Sequence, residues 1–255
     1  KTETVLSTPL GQPYRTRYFA MIQIAVHDAL NNIKPKYERY ALNEKEKFAD
    51  PDAAVASAAY WAIKLLERQG NSPIETWYAE SLATIPDGES KELGITLGKK
   101  AAQAIYDKRL NDGLLLIPLT SLTPPNGVNP GEYRSTLTAV NYVPTQTLSP
   151  FRILYNWGTE MQPYVIENNQ QFRPRAPYAV NSIEYTTDFN EVKTKGARIG
   201  GSRTAEEEKI GKFWSENRPS VIWNRIVLEA IATKKLDAWK TARLFALVHV
   251  CIAED

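Results

Sequence analysis

The sequence predicts an all-α fold, a multi-helix array interrupted by one long irregular segment, and three observations carry that prediction. Apolar residues from Tyr14 to Ile33 recur at three- and four-residue steps, the period of a buried helix face. The segments that follow are bracketed by residues that start and stop helices. Nine of the 16 prolines then fall between Gly113 and Tyr178, where regular helix is nearly excluded.

In chain order, the first helix carries Met21, Ile22, Ile24, Ala25, Val26, Ala29, Leu30 and Ile33 on its apolar steps. A second has Asp50 as N-cap and Pro51 in its first turn, runs through the Ala-rich Ala53–Leu66 and stops at Gly70. Ser72-Pro73 opens a third, with Ile74, Trp77, Tyr78 and Leu82, ending near Pro86-Asp87-Gly88. A fourth runs from about Glu89 to Leu110, before Asn111-Asp112-Gly113. In the Pro-rich stretch, aromatics such as Tyr133, Tyr142, Phe151, Trp157 and Tyr164 argue for an ordered segment draped over the helices. Helical pattern resumes over Ser182–Lys195. After Gly200-Gly201 it resumes again, where Thr204 and Glu207 have capping-box spacing ahead of Ile210, Phe213 and Trp214. Pro219 opens Val221–Thr233, and Asp237 caps a last helix through Leu244, Phe245, Leu247, Val248, Val250, Cys251 and Ile252. The expected organisation is a helical region at 1–112, an irregular segment at 113–180, and helices beginning a core at 181–255.

The composition narrows function. At 255 residues and 43% hydrophobic, the chain can bury a substantial core. Thirty-one Lys+Arg against 29 Asp+Glu, interspersed, propose neither nucleic acid nor a membrane surface as partner. No apolar run approaches the roughly 20 residues of a transmembrane helix. Cys251 is the sole cysteine and His27 and His249 are the only histidines, so no Cys/His cluster has zinc spacing.

His27 and His249 sit in apolar helices, with Asp28 and Glu254 nearby as carboxylates that could orient them as bases. Hydrogen-bonded core histidines are the stronger reading, because an i,i+1 neighbour points elsewhere on a helix. Gly200-Gly201-Ser202-Arg203-Thr204 has the ingredients of an anion cradle, and a turn leading into a capped helix uses the same letters. Arg15/Arg17 and Arg173/Arg175 suit either a phosphate or ion pairing, and Asp188 and Glu191, one turn apart, lack a third metal ligand. Neither G-x-S-x-G nor G-x-G-x-x-G occurs. No complete set of catalytic, cofactor-binding or metal-binding residues is visible.

The last helix is apolar on nearly every side from Leu244 to Ala253, which places it in the middle of a core. It lacks a glycine stop and ends on Glu254-Asp255, carboxylates that oppose the helix dipole. Both features predict that further chain follows.

The order of segments resembles one family. Arg17-Tyr-Phe-Ala-Met-Ile-Gln-Ile-Ala-Val-His27-Asp28-Ala29-Leu30-Asn31, Tyr37-Glu-Arg-Tyr40 and the Ala-rich helix resemble the opening of bacterial proteins of the vanadium-dependent haloperoxidase and type 2 phosphatidic acid phosphatase superfamily. Arg109-Leu-Asn-Asp-Gly113, Pro130-Gly-Glu-Tyr-Arg134, Trp157-Gly158, Gln171-Phe-Arg-Pro174, Arg203-Thr204, Trp223-Asn224 and Ala242-Arg-Leu-Phe-Ala246 follow in the same order. The resemblance implies the N-terminal part of a haloperoxidase-like helical fold. In this family Lys, Arg and His side chains hold phosphate or vanadate, for phosphoester hydrolysis or for halide oxidation with peroxide. Those residues lie in K-x6-R-P, P-S-G-H and S-R-x5-H.

Lys212-Phe-Trp-Ser-Glu-Asn-Arg218-Pro219 has five residues, not six, between Lys and Arg, and no P-S-G-H follows. The oxyanion ligands, and with them vanadate or a phosphate substrate, are therefore expected beyond residue 255. Activity is expected only with the remaining C-terminal portion of the protein or a second subunit as partner. Family habit and the absence of an initiator Met at Lys1 suggest a periplasmic or secreted location. Two other readings stand beside this one: a non-catalytic helical binding or scaffolding protein, and a degenerate oxyanion site formed by Lys212, Arg218 and His249.

Overall fold

The computed structural model describes residues 12–66, 73–113, 127–132, 161–197, 199–216 and 219–254, with backbone alone at 12–14, 216, 219 and 220. The fold is all-α: the described residues form eight helices and no strand. They are α1 (Gln12–Ile33), α2 (Pro51–Leu66), α3 (Ile74–Ala83), α4 (Glu89–Arg109), α5 (Ile183–Lys195), α6 (Ala205–Glu216), α7 (Pro219–Lys234) and α8 (Ala238–Glu254).

The helix starts follow the local chemistry. The four exposed N–H groups of a helix start need acceptors. The Asp50 carboxylate takes the Ala53 N–H at 2.8 Å, and Asp237 takes that of Lys240 at 2.9 Å. The Ser182 hydroxyl takes the Tyr185 N–H at 3.1 Å. Thr204 and Glu207 form the full capping box, each side chain accepting the other's N–H, at 3.2 and 2.8 Å. At α3 the N-cap position is Pro73, with no side-chain cap. Gly70, Ser72 and most of the Pro-rich stretch lie outside the described residues.

The chain divides into two compact units, residues 1–114 with 217–255, and residues 115–216. In the first, α1 packs on α2, α4 and α8, while α2 lies along α4 and α7 along α8. The α2–α4 pair is close because it is built from small residues. Ala53, Ala54, Ser57 and Ala58 face Gly94, Gly98, Ala101 and Ala102. A Cβ on Gly98 would stand 2.4 Å from the Ala54 carbonyl oxygen and 2.6 Å from the Ala58 nitrogen. Bare backbone is what the approach requires.

Within these 255 residues the enclosed helix is α1, and α8, whose composition suggests a central helix, is covered on one side. Tyr18, Phe19, Ala20, Met21, Ile22, Ile24, Ala25, Ala29 and Leu30 are all buried. By contrast α8 buries one stripe, Ala242, Ala246, His249, Val250 and Ala253, while Leu247 is 46% exposed and Cys251 lies in solvent. Mostly small residues seat α8 on α1, and the larger Leu247 is turned outward.

In the second unit, Met161 and Tyr164 are the buried apolar side chains among the described residues. The α5–α6 junction is fixed by polar contacts. Lys195 pairs with Glu207, the Ser202 N–H reaches the Thr194 carbonyl at 3.0 Å, and Gly200 turns the chain at φ 72°.

Gly98→Ala is expected to lower stability by about 1–3 kcal/mol through overpacking against backbone, despite the better helix propensity of Ala. Gly211→Ala, in α6 with nothing within 4 Å of the new methyl, should raise it by about 0.5–1 kcal/mol. Urea unfolding midpoints of the two variants measure both effects.

Candidate functional site

A helix enclosed by apolar neighbours can carry polar side chains only if each one is hydrogen-bonded. On the C-terminal half of α1, His27, Asp28, Asn31 and Asn32 are buried, and together they hold the loop that follows. The Asn31 carbonyl accepts the N–H groups of Lys36 at 3.2 Å and Tyr37 at 2.9 Å. The Asp28 carboxylate accepts three consecutive ones, from Tyr40 at 2.8 Å, Ala41 at 2.6 Å and Leu42 at 2.9 Å. Asn32 accepts from Glu44 N–H at 2.6 Å and donates to the Leu42 carbonyl at 3.0 Å. His27 Nε2 donates to the Glu38 carbonyl at 2.9 Å, and Nδ1 lies 3.4 Å from the Asn31 amide nitrogen. Burial raises the Asp28 pKa above the ordinary carboxylate range, with the N–H donors from Ala41 and Leu42 opposing it. His27 and Asp28 therefore template a loop, and both are engaged too fully to serve as a base.

At the other end of the same packing layer, Arg17 of α1 reaches Asp112, just past α4, at 2.6 Å, with both side chains buried. Arg109 lies 3.8 Å from the same carboxylate and donates to the Tyr40 hydroxyl. Two guanidinium groups thus share the Asp112 carboxylate, which offsets part of the cost of burying the charges. The anion that Arg17 meets is supplied by the protein itself.

His249 of α8 is buried and stacked on Phe19 of α1, with ring centroids 5.1 Å apart and planes at 15°. Its Nε2 donates to the Asn224 side-chain oxygen of α7 at 3.1 Å, while Nδ1 is buried without a hydrogen-bond partner. Desolvation lowers its pKa to about 4, so the ring is neutral at neutral pH. Asn224, not Glu254, orients it. Sequence reasoning missed this partner because it comes from another helix, and local spacing carries no signal for it.

In the second unit, the guanidinium of Arg203 closes the C-terminal end of α5. It donates to the Lys195 carbonyl and, at 2.8 Å, to that of Ala197, and pairs with Glu208 at 3.0 Å. The glycine-rich run is thus a turn into a capped helix. Lys212 lies 3.8 Å from Glu208, and Arg218 falls outside the described residues. Arg175 stacks over the Tyr178 ring at 3.7 Å. That ring borders an open groove of about 540 Å³ which Tyr185, Asp188, Phe189 and Val192 of α5 complete. No group of His, Cys, Asp or Glu among the described residues has metal-binding geometry. Of the candidate oxyanion ligands, Arg17, Arg203 and Lys212 face carboxylates, and His249 is enclosed by Phe19, Phe245 and Asn224. No described helix is long and apolar enough to cross a membrane.

No protein-family model and no curated protein sequence matches this chain. A solved structure does match in fold: that of the first bacterial vanadium-dependent iodoperoxidase, with a TM-score of 0.78 and 17% sequence identity. The match covers 99% of this chain and 64% of that one. The chain therefore has a haloperoxidase-like helical fold and spans less than two thirds of the iodoperoxidase.

Asp28→Asn replaces one acceptor oxygen with a donor facing backbone N–H groups. The expected cost is about 2–3 kcal/mol, with faster amide hydrogen exchange confined to residues 36–44. The lowered pKa of His249 makes stability fall with acid. Between the unfolded value of 6.5 and about 4 the unfolded chain takes up a proton that the folded one refuses. The slope attributable to this group is up to about 1.4 kcal/mol per pH unit. It is absent above that window and should vanish from unfolding curves of His249→Phe.

Proposed function

We propose that this chain is the N-terminal, scaffolding portion of an oxyanion-handling enzyme. That enzyme is either a vanadium-dependent haloperoxidase, oxidising halide with peroxide, or an acid phosphatase of the same fold. The observation that carries this reading is the fold shared with the iodoperoxidase over nearly the whole chain, in keeping with the order of segments in the sequence. The oxyanion-binding Lys, Arg and His belong, in this reading, to chain beyond residue 255 or to a second subunit. When bound, vanadate would supply peroxide activation, or phosphate would be the group transferred.

This chain's own part is structural. Asp28, Asn31 and Asn32 fix the 36–44 loop, Arg17 with Asp112 ties α1 to the end of α4, and His249 with Asn224 and Phe19 locks α7 and α8 onto α1. An extracytoplasmic location belongs to the same proposal, and cell fractionation followed by immunoblotting tests it.

The discriminating experiment is to read the frame past Asp255 and assay the complete product. Lys-x6-Arg-Pro followed by Pro-Ser-Gly-His and Ser-Arg-x5-His is expected. So is either vanadate-dependent oxidation of iodide or bromide, or release of phosphate from a phosphomonoester, with residues 1–255 inactive in both. A stop codon at that point, together with inactivity in both assays when a candidate second subunit is supplied, would favour a non-catalytic binding protein.

A further inference from the structure

We propose that the outward face of α8 is the seat of further helices of the same polypeptide. This rests on the functional reading above and names the surface through which the two portions would join. At 100° per residue, Leu244, Leu247, Val248 and Cys251 fall within an arc of about 100° opposite the buried stripe of α8. No charged residue interrupts the helix between Leu244 and Ala253. Along that arc Leu247 is 46% exposed, Cys251 is exposed, and Leu244 and Val248 are half-buried.

The pattern selects the kind of occupant. Apolar side chains at i, i+3, i+4 and i+7 form the ridge against which a second helix packs, whereas a surface meant for water would place charges there. The face on the other side of α8 already holds a helix, α1, in the same manner. The fold points to the source of the occupant: the match covers 64% of the iodoperoxidase chain, so about a third of that protein has no counterpart in these 255 residues. The outward face of α8 is apolar surface suited to receive elements of that kind.

Cys251, the sole cysteine of this chain, lies on the proposed ridge and reports on its cover. The complete gene product, native and in denaturant, is alkylated with N-ethylmaleimide, and modification of the Cys251 peptide is followed by mass spectrometry. The expected result is a native rate slower than the denatured one by roughly tenfold or more, unchanged on dilution. Leu247→Asp should restore reactivity. Equal native and denatured rates overturn the proposal, as does protection lost on dilution, which would assign the face to a second copy. A gene product ending at Asp255 overturns it outright. Protection without either enzymatic activity leaves the docking face standing and removes the enzymatic reading. Activity without protection does the reverse.

Discussion

The enclosure of α1 is the constraint on which the rest of the first unit depends. From Arg17 to Asn32 nearly every side chain of this helix is buried, the polar ones included. A buried carboxylate or amide left unbonded costs several kcal/mol, so α1 can be central only if its neighbours answer such groups. They do so at both ends. Asp112 answers Arg17 at one end, and at the other the backbone of residues 36–44 wraps around His27, Asp28, Asn31 and Asn32. The loop owes its shape to side chains of the helix it leaves, which is why an irregular segment rich in charged residues can be held in one conformation.

Small residues make the enclosure possible. Gly94 and Gly98 let α4 approach α2 to backbone contact, and Ala242, Ala246 and Ala253 let α8 settle on α1. Close approach gains dispersion contacts at little cost in side-chain entropy. It also leaves the larger apolar residues of α8, Leu247 above all, on the far side.

Polar contacts encoded within a few residues were legible in the sequence, and those between distant helices were not. Glycine-rich letters around Gly200, read as a turn before a capped helix, are that turn, because the Thr204–Glu207 box and the Arg203 contacts to the end of α5 are local and spacing encodes them. His249 was legible as a core histidine, but its partner Asn224 was not. That hydrogen bond depends on how α7 and α8 cross, a matter of which ridges pack together, and a linear sequence holds no period for it. The same is true of Arg17 and Asp112, 95 residues apart.

Local chemistry along the chain specifies the set of helices and most of their starts. Asp50, Ser182, Thr204 and Asp237 act on N–H groups three residues away, a distance fixed by covalent geometry and the helical repeat. Which helix is central depends instead on packing between distant segments. Apolar content marked α8, but burial follows from whether neighbours can approach closely and bond the polar side chains they enclose. Those conditions are met around α1 by residues drawn from α2, α4, α8 and the 36–44 loop, and they become visible only once those distant segments are side by side.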